Sequence, residues 1–165
     1  MNIKVLSPIN DSTNLDNRPA SYYMSGGLWA VKGQQQSVTA SASSFQNIRF
    51  YASSDSMNYV GDYVDYDYTN YRARVLKSGI YIVSCFLDTS AGANGGTVQL
   101  GIFYNTTATS GMYAVQSRVG PGRISVTTAI NARANTWIAP MALLPPGSGT
   151  ETLIYAGTKF NIVRV

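Results

Sequence analysis

Histidine is absent from the 165 residues, cysteine occurs once, at Cys85, and glutamate once, at Glu151. These gaps exclude disulfide frameworks, His/Cys zinc sites and the usual Ser-His-Asp or Cys-His catalytic sets within one chain. Paired-carboxylate catalysis would need Glu151, or an Asp held beside a second acid in a cleft, and nothing in the sequence positions such a pair. Neither enzymatic activity nor a cofactor is expected. The longest apolar runs, such as Ile80 to Leu87, fall far short of the ~20 residues of a membrane helix. The opening MNIKVLSPINDSTN lacks the apolar stretch of a signal peptide. The chain is therefore expected to be soluble and unprocessed, with no membrane partner. Charge is scarce as well, at 12% of the residues against about 25% in an average soluble domain. The net charge of +4 comes from singly scattered residues, and Lys4 and Arg18 near the start are offset by Asp11 and Asp16. No nucleic-acid partner is expected.

In place of Lys and Glu stand Ser, Thr, Asn, Gln, Gly and 12 tyrosines. Such a surface does not repel a second copy of the same molecule, which favours assembly. The length suits one domain. Residues 1–27 carry Pro8, Pro19 and only short apolar patches before Gly26-Gly27, and read as an extended N-terminal arm held by a neighbouring subunit. Residues 28–165 read as the folded domain. There the period is two throughout, in runs of five to nine residues separated by Gly, Asn, Ser or Pro clusters, with no sustained helical period. The expectation is an all-β antiparallel sandwich of about ten strands. In 97–104, Val98, Leu100, Ile102 and Tyr104 face one way, and Thr97, Gln99, Gly101 and Phe103 the other, wet way. In 123–130, Ile124, Val126, Thr128 and Ile130 oppose Arg123, Ser125 and Thr127.

The segment GIYIVSCFL (79–87) departs from this pattern. Tyr81, Val83, Cys85 and Leu87 make one apolar face, and Ile80, Ile82 and Phe86 make another. A sandwich core uses one face of a strand, so the second must be covered either by an irregular segment of the same chain or by another protomer. Leaving three or four such side chains in water would forgo several kcal/mol at about 25 cal/mol per Å2.

Three stretches, taken in order, resemble the jelly roll of the tumour necrosis factor and complement globular-head superfamily. YRARVLKSGIYIVSCFLD (71–88) resembles its strand pair in which Gly-x-Tyr, here Gly79-Ile80-Tyr81, opens the central strand. TVQLGIFYN (97–105) resembles the next strand, and GTKFNIVRV, with Phe160 near its start, the closing one. Ala134-Asn135 stands where that family usually carries Gly-Asp, and Ile162 where its closing strand often has Gly. The resemblance implies a ten-stranded jelly roll that trimerises about a three-fold axis. Tyr81, Val83, Cys85, Leu87 and Phe160 are the residues then expected at the trimer interface. Stand-alone domains of this kind also resemble trimeric decoration, or cement, proteins of tailed-phage heads and the tips of phage fibres. With no stalk repeat in view, the capsid exterior is the expected location. The expected partners are the chain itself and the major capsid protein or another virion protein.

Half of the tyrosines and half of the acids fall within Tyr51 to Tyr71. Tyr supplies stiff, amphipathic contact area, so Tyr59, Tyr63, Tyr66 and Tyr68, with Tyr22 and Tyr23 of the arm, are candidate capsid or partner contacts. Arg72 and Arg74, two apart on one strand face, join them, either pairing with the Asp cluster across a subunit boundary or lying solvated. The same Tyr/Asp segment could instead stack on a host glycan, the reading in which the chain is a tail or fibre receptor-binding module. Asp62, Asp65 and Asp67 offer oxygen ligands for Ca2+, but DYVDYD lacks the Gly turn and terminal Glu of a known loop.

Overall fold

The computed structural model describes residues 26–104, 111–145 and 151–165, and a two-residue ladder pairing β1 (Asn14–Leu15) with β2 (Arg18–Pro19). The remaining strands are β3 (Gly27–Val31), β4 (Gln36–Thr39), β5 (Ser41–Asn47), β6 (Ser56–Val60), β7 (Val64–Asp67), β8 (Arg72–Val75), β9 (Gly79–Thr89), β10 (Thr97–Tyr104), β11 (Met112–Val119), β12 (Gly122–Ala132), β13 (Trp137–Leu144), β14 (Glu151–Ile154) and β15 (Lys159–Arg164). They form two antiparallel sheets, of seven and six strands. The number exceeds the expected ten because the Ser-, Gln- and Asn-rich runs at 36–39, 41–47 and 56–60 also pair, although their composition carries little strand signal. No helix among the described residues is long and apolar enough to cross a membrane.

The first sheet is built on β9. β12 runs along one edge of β9 from Gly79↔Ala132 to Thr89↔Gly122. The other edge is shared by β15, from Tyr81 to Phe86, and by β14 at Thr89. β3 and then β6 continue beyond β15, and β4 beyond β14. In the second sheet β10 joins β11 to β13. The far edge of β13 is divided between β8, at Trp137 and Ile138, and β5, from Met141 to Leu144, with β7 outside β8.

Alternation places one set from each strand between the sheets. On β9 that set is Tyr81, Val83, Cys85 and Leu87, and on β15 Phe160 and Ile162, all fully buried in the single chain. Phe50 stacks on Phe160 at 6.3 Å and meets Tyr66 edge-on at 6.3 Å. Side chains of this size contribute about 1.5–3 kcal/mol each when fully buried. β12 follows its expected alternation, with Ile124, Val126 and Ile130 inside and Arg123, Ser125 and Thr127 outside. β10 keeps its wet face at Thr97 and in part at Gln99, but loses it at Gly101 and Phe103, because Phe45 of β5 covers Phe103 at 5.0 Å and Gly101 is buried with it. Asn135 takes φ +64°, a conformation that Asn tolerates better than most residues.

Candidate functional site

The five residues expected at the trimer interface prove to be core. Tyr81, Val83, Cys85, Leu87 and Phe160 all point between the sheets of their own chain and are buried there by that chain alone. The side of β9 left uncovered is the opposite one. Ile80 and Ile82 remain 51% and 36% exposed, and Phe86 is half-buried. Register extends this patch across the sheet. Ile82 lies between Ala129 of β12 and Val163 of β15. In the next row the Ile80 carbonyl accepts the Val165 N–H at 3.0 Å, and Val165 itself is exposed. An apolar strip thus runs over the outer face near the chain's C-terminal end.

A second uncovered region is the flank formed by β11 and β12. β11 pairs with β10 alone and β12 with β9 alone among the described strands, so both sheets end in open edges on this side. Unpaired edges are normally guarded by Lys, Pro or bulges at the rim. Here 21 residues from Met112 to Ala132 hold two charges, Arg118 and Arg123, and Met112, Tyr113, Val115 and Val119 stand exposed.

The Tyr/Asp segment is mostly consumed inside the chain. Tyr66 is in the core, 3% exposed. Tyr63 lies flat against the backbone at Gly26 and Gly61, where any Cβ would fall within 2.0 and 2.6 Å of its ring, so both positions require glycine. Lys77 and Arg164 cover that ring at 4.8 and 5.0 Å. Tyr59 and Tyr68 do stand exposed, their hydroxyls 3.3 Å apart at the open edge between β6 and β7. Burial and the bond to Tyr68 push the Tyr59 phenol well above its usual range. Tyr22 and Tyr23 lie outside the described residues.

Arg72 and Arg74 do not need a subunit boundary to find the acids. Across the β7–β8 ladder Arg74 reaches Asp65 at 3.3 Å and Arg72 reaches Asp67 at 3.6 Å, and the two guanidinium groups flank Trp137 at 4.1 and 5.9 Å. Asp62 pairs with Lys77 at 2.6 Å, a bond that holds its carboxyl below the usual range. Asp67 is lowered mainly by the Asn70 side-chain amide, 2.7 Å away. Each carboxylate of DYVDYD is therefore turned to its own cation. Among the described residues no three His, Cys, Asp or Glu side chains gather as a metal site would require.

One constellation has no forewarning in the sequence. Lys32 and Asp55 form an ion pair at 3.4 Å with side chains 1% and 0% exposed. Asp55 also accepts the Gly33 N–H at 2.9 Å and the Tyr51 N–H at 2.7 Å, and Lys32 Nζ donates to the Arg49 carbonyl at 2.6 Å. The pair pins the end of β3 to the 48–55 turn. Gly33 lets the two segments approach this closely, since a Cβ there would lie 2.1 Å from the Ser54 carbonyl oxygen. Burial pulls the Lys32 amine below its usual range, and Asp55 offsets part of that shift. The partners are 23 residues apart, and no local spacing announces them.

No family model matches the chain. No curated protein matches it in sequence either. Solved structures match it in fold. Murine APRIL at pH 5.0 superposes with a TM-score of 0.61 at 13% identity, over 86% of this chain and 100% of that one. The Eiger TNF of S. frugiperda superposes with a TM-score of 0.54 at 10% identity, over 86% of this chain and 94% of that one. At these identities the likeness is one of fold, and the two-sheet sandwich described above is a jelly roll of the tumour necrosis factor type.

Proposed function

We propose that this chain is a non-enzymatic assembly module, a homotrimer that serves as a capsid decoration protein on the outside of a phage shell. The observation that carries the reading is the pairing of two different bare surfaces on one molecule, the Ile80/Ile82 strip on a sheet face and the charge-poor β11–β12 flank on its edge. A contact between unlike surfaces is heterologous, and closes into a ring when the rotation permits. The fold is one that typically forms homotrimers. Depletion of charge is what the core of a protein interface calls for. Such a trimer would stabilise a shell by mass action, binding the assembled lattice and not the dissociated subunits.

The test has two arms. Sedimentation velocity at micromolar concentration should give a trimer, and Ile82→Lys should return it to a folded monomer. Removing the protein from its shell should lower the shell's thermal stability. A chain that stays monomeric and leaves the shell unchanged overturns the reading.

A second reading, a receptor-binding module for a host glycan, draws on Tyr59 and Tyr68, whose exposed neighbouring rings suit stacking on a sugar. Glycan-array binding lost in Tyr59→Ala and Tyr68→Ala, with assembly intact, would favour it. Tyr63 and Tyr66 do not belong in that test, because both rings are engaged by their own chain.

A further inference from the structure

Asn94-Gly95 is the only Asn-Gly step in the chain. It stands on the loop between β9 and β10 with both residues exposed. Gly95 has φ +84° and open space on every side where a side chain would be. Its N–H donates to the Gly92 carbonyl at 2.9 Å, a turn bond in a loop, where local opening costs least. The geometry points to Asn94 as a site of spontaneous covalent modification, deamidation through a cyclic imide.

The step needs nothing but water. The Gly95 amide nitrogen gives its proton to solvent and attacks Cγ of Asn94, forming an N–C bond. The bond from Cγ to the side-chain nitrogen breaks, and ammonia leaves. Water then opens the five-membered imide at either carbonyl, giving aspartate or isoaspartate. Glycine is the residue that permits this attack, since it places no Cβ beside the nitrogen and explores backbone angles others cannot. Asn47, Asn58 and Asn161 lie on strands and precede Ile48, Tyr59 and Ile162, which hinder the same approach.

Each event exchanges a neutral amide for a carboxylate and lowers the net charge of +4 by one. The isoaspartyl form also adds a methylene to the backbone, in a loop whose Gly96 carbonyl accepts the Gly120 N–H at 3.1 Å. The change is thereby felt at the turn joining β11 to β12. The inference stands whether or not the chain trimerises.

The experiment incubates the folded full-length chain, and a urea-unfolded sample, in mildly alkaline buffer and follows tryptic peptides by mass spectrometry. The peptide holding Asn94 should gain about one mass unit in the folded sample and split chromatographically into two products. Hydrolysis in water enriched in oxygen-18 should add about two further units. Gly95→Ala should slow the conversion severalfold in both samples. If Asn94 stays intact in the folded chain while the unfolded chain converts, if neither converts, or if Asn47 or Asn161 converts first, the inference fails.

Discussion

The two faces of β9 both carry large apolar side chains and meet opposite fates. Tyr81, Val83, Cys85 and Leu87 vanish into the sandwich, while Ile80 and Ile82, one residue out of phase, remain on the surface. The charged residues repeat the contrast. Lys32 and Asp55 pair inside, sealed from water, and Arg74 and Asp65 pair outside with side chains 42% and 55% exposed. The interior makes each of its members hard to replace, whereas the surface leaves its members free for another molecule.

The largest separation between inside and outside should come from the ion pairs. Asp55→Ala leaves the Lys32 ammonium buried without its counter-charge and removes the acceptor of the Gly33 and Tyr51 N–H groups. Breaking a buried pair by removing one partner costs about 3–5 kcal/mol, to be read as a lower urea midpoint at unchanged slope. Lys32→Met should cost less, because Asp55 keeps its backbone donors. A Lys32→Met loss equal to or larger than that of Asp55→Ala would show that the carboxylate is not the organising centre of the turn.

On the inner face of β9, Leu87→Ala should cost about 2–5 kcal/mol, the transfer term of the lost carbons plus that of the cavity left behind. On the outer face, Ile82→Ser should change the unfolding of the dilute chain by no more than about 1 kcal/mol, while weakening self-association. Equal losses of stability from the two substitutions would erase the difference between the faces.

Raising the pH sharpens the same comparison without a mutation. Burial raises the thiol of Cys85 and the phenols of Tyr66 and Tyr81 above their ordinary values of 9.0 and 10.0. The unfolded chain therefore gives up protons that the folded chain keeps, and stability is lost as the pH climbs past about 9 to 10. Lys32 acts in the opposite direction. Its folded value lies below 10.5, so the unfolded chain holds a proton that the folded chain has released, and this contribution rises with pH up to about 10.5. The Tyr59 phenol is raised as well, so four groups oppose one, and urea midpoints should fall between about pH 9 and pH 11. A flat profile would mean that these groups reach solvent.

Sequence alternation found both faces of β9 but could not by itself say which was inside. A signal was present in the polar members. Ser84 and Asp88 belong to the same set as Ile80, Ile82 and Phe86, and a set interrupted by polar residues is the one that faces out. The sandwich, its central strand and the closing strand at Phe160 were legible because apolar alternation there is strong. The strands at 36–39, 41–47 and 56–60 were not, since they pair chiefly through backbone and carry Ser, Gln and Asn. Among the tyrosines, composition marked the right segment, yet only the fold decides that Tyr63 and Tyr66 serve their own chain while Tyr59 and Tyr68 face out. Lys32 was illegible for a different reason. A lone Lys in a polar run looks solvated, and the partner that draws it inside lies far along the chain.

The smallest effect expected belongs to the exposed pair. Arg74 and Asp65 sit opposite one another on β8 and β7 in open solvent, where water and salt already screen both charges. A double-mutant cycle of Arg74→Gln and Asp65→Asn should give a coupling of about 0.2–1 kcal/mol, declining as salt is added. Arg74 also lies 5.9 Å from the Trp137 ring, a contact that Asp65→Asn leaves in place. The single Arg74→Gln loss should therefore exceed that of Asp65→Asn, and the excess, unlike the coupling, should persist in high salt because its source is packing of the guanidinium plane on the ring. A coupling as large as that of the Lys32–Asp55 pair would place Arg74 and Asp65 in a low-dielectric setting that a single chain does not provide, and so would indicate a partner seated over this part of the sheet.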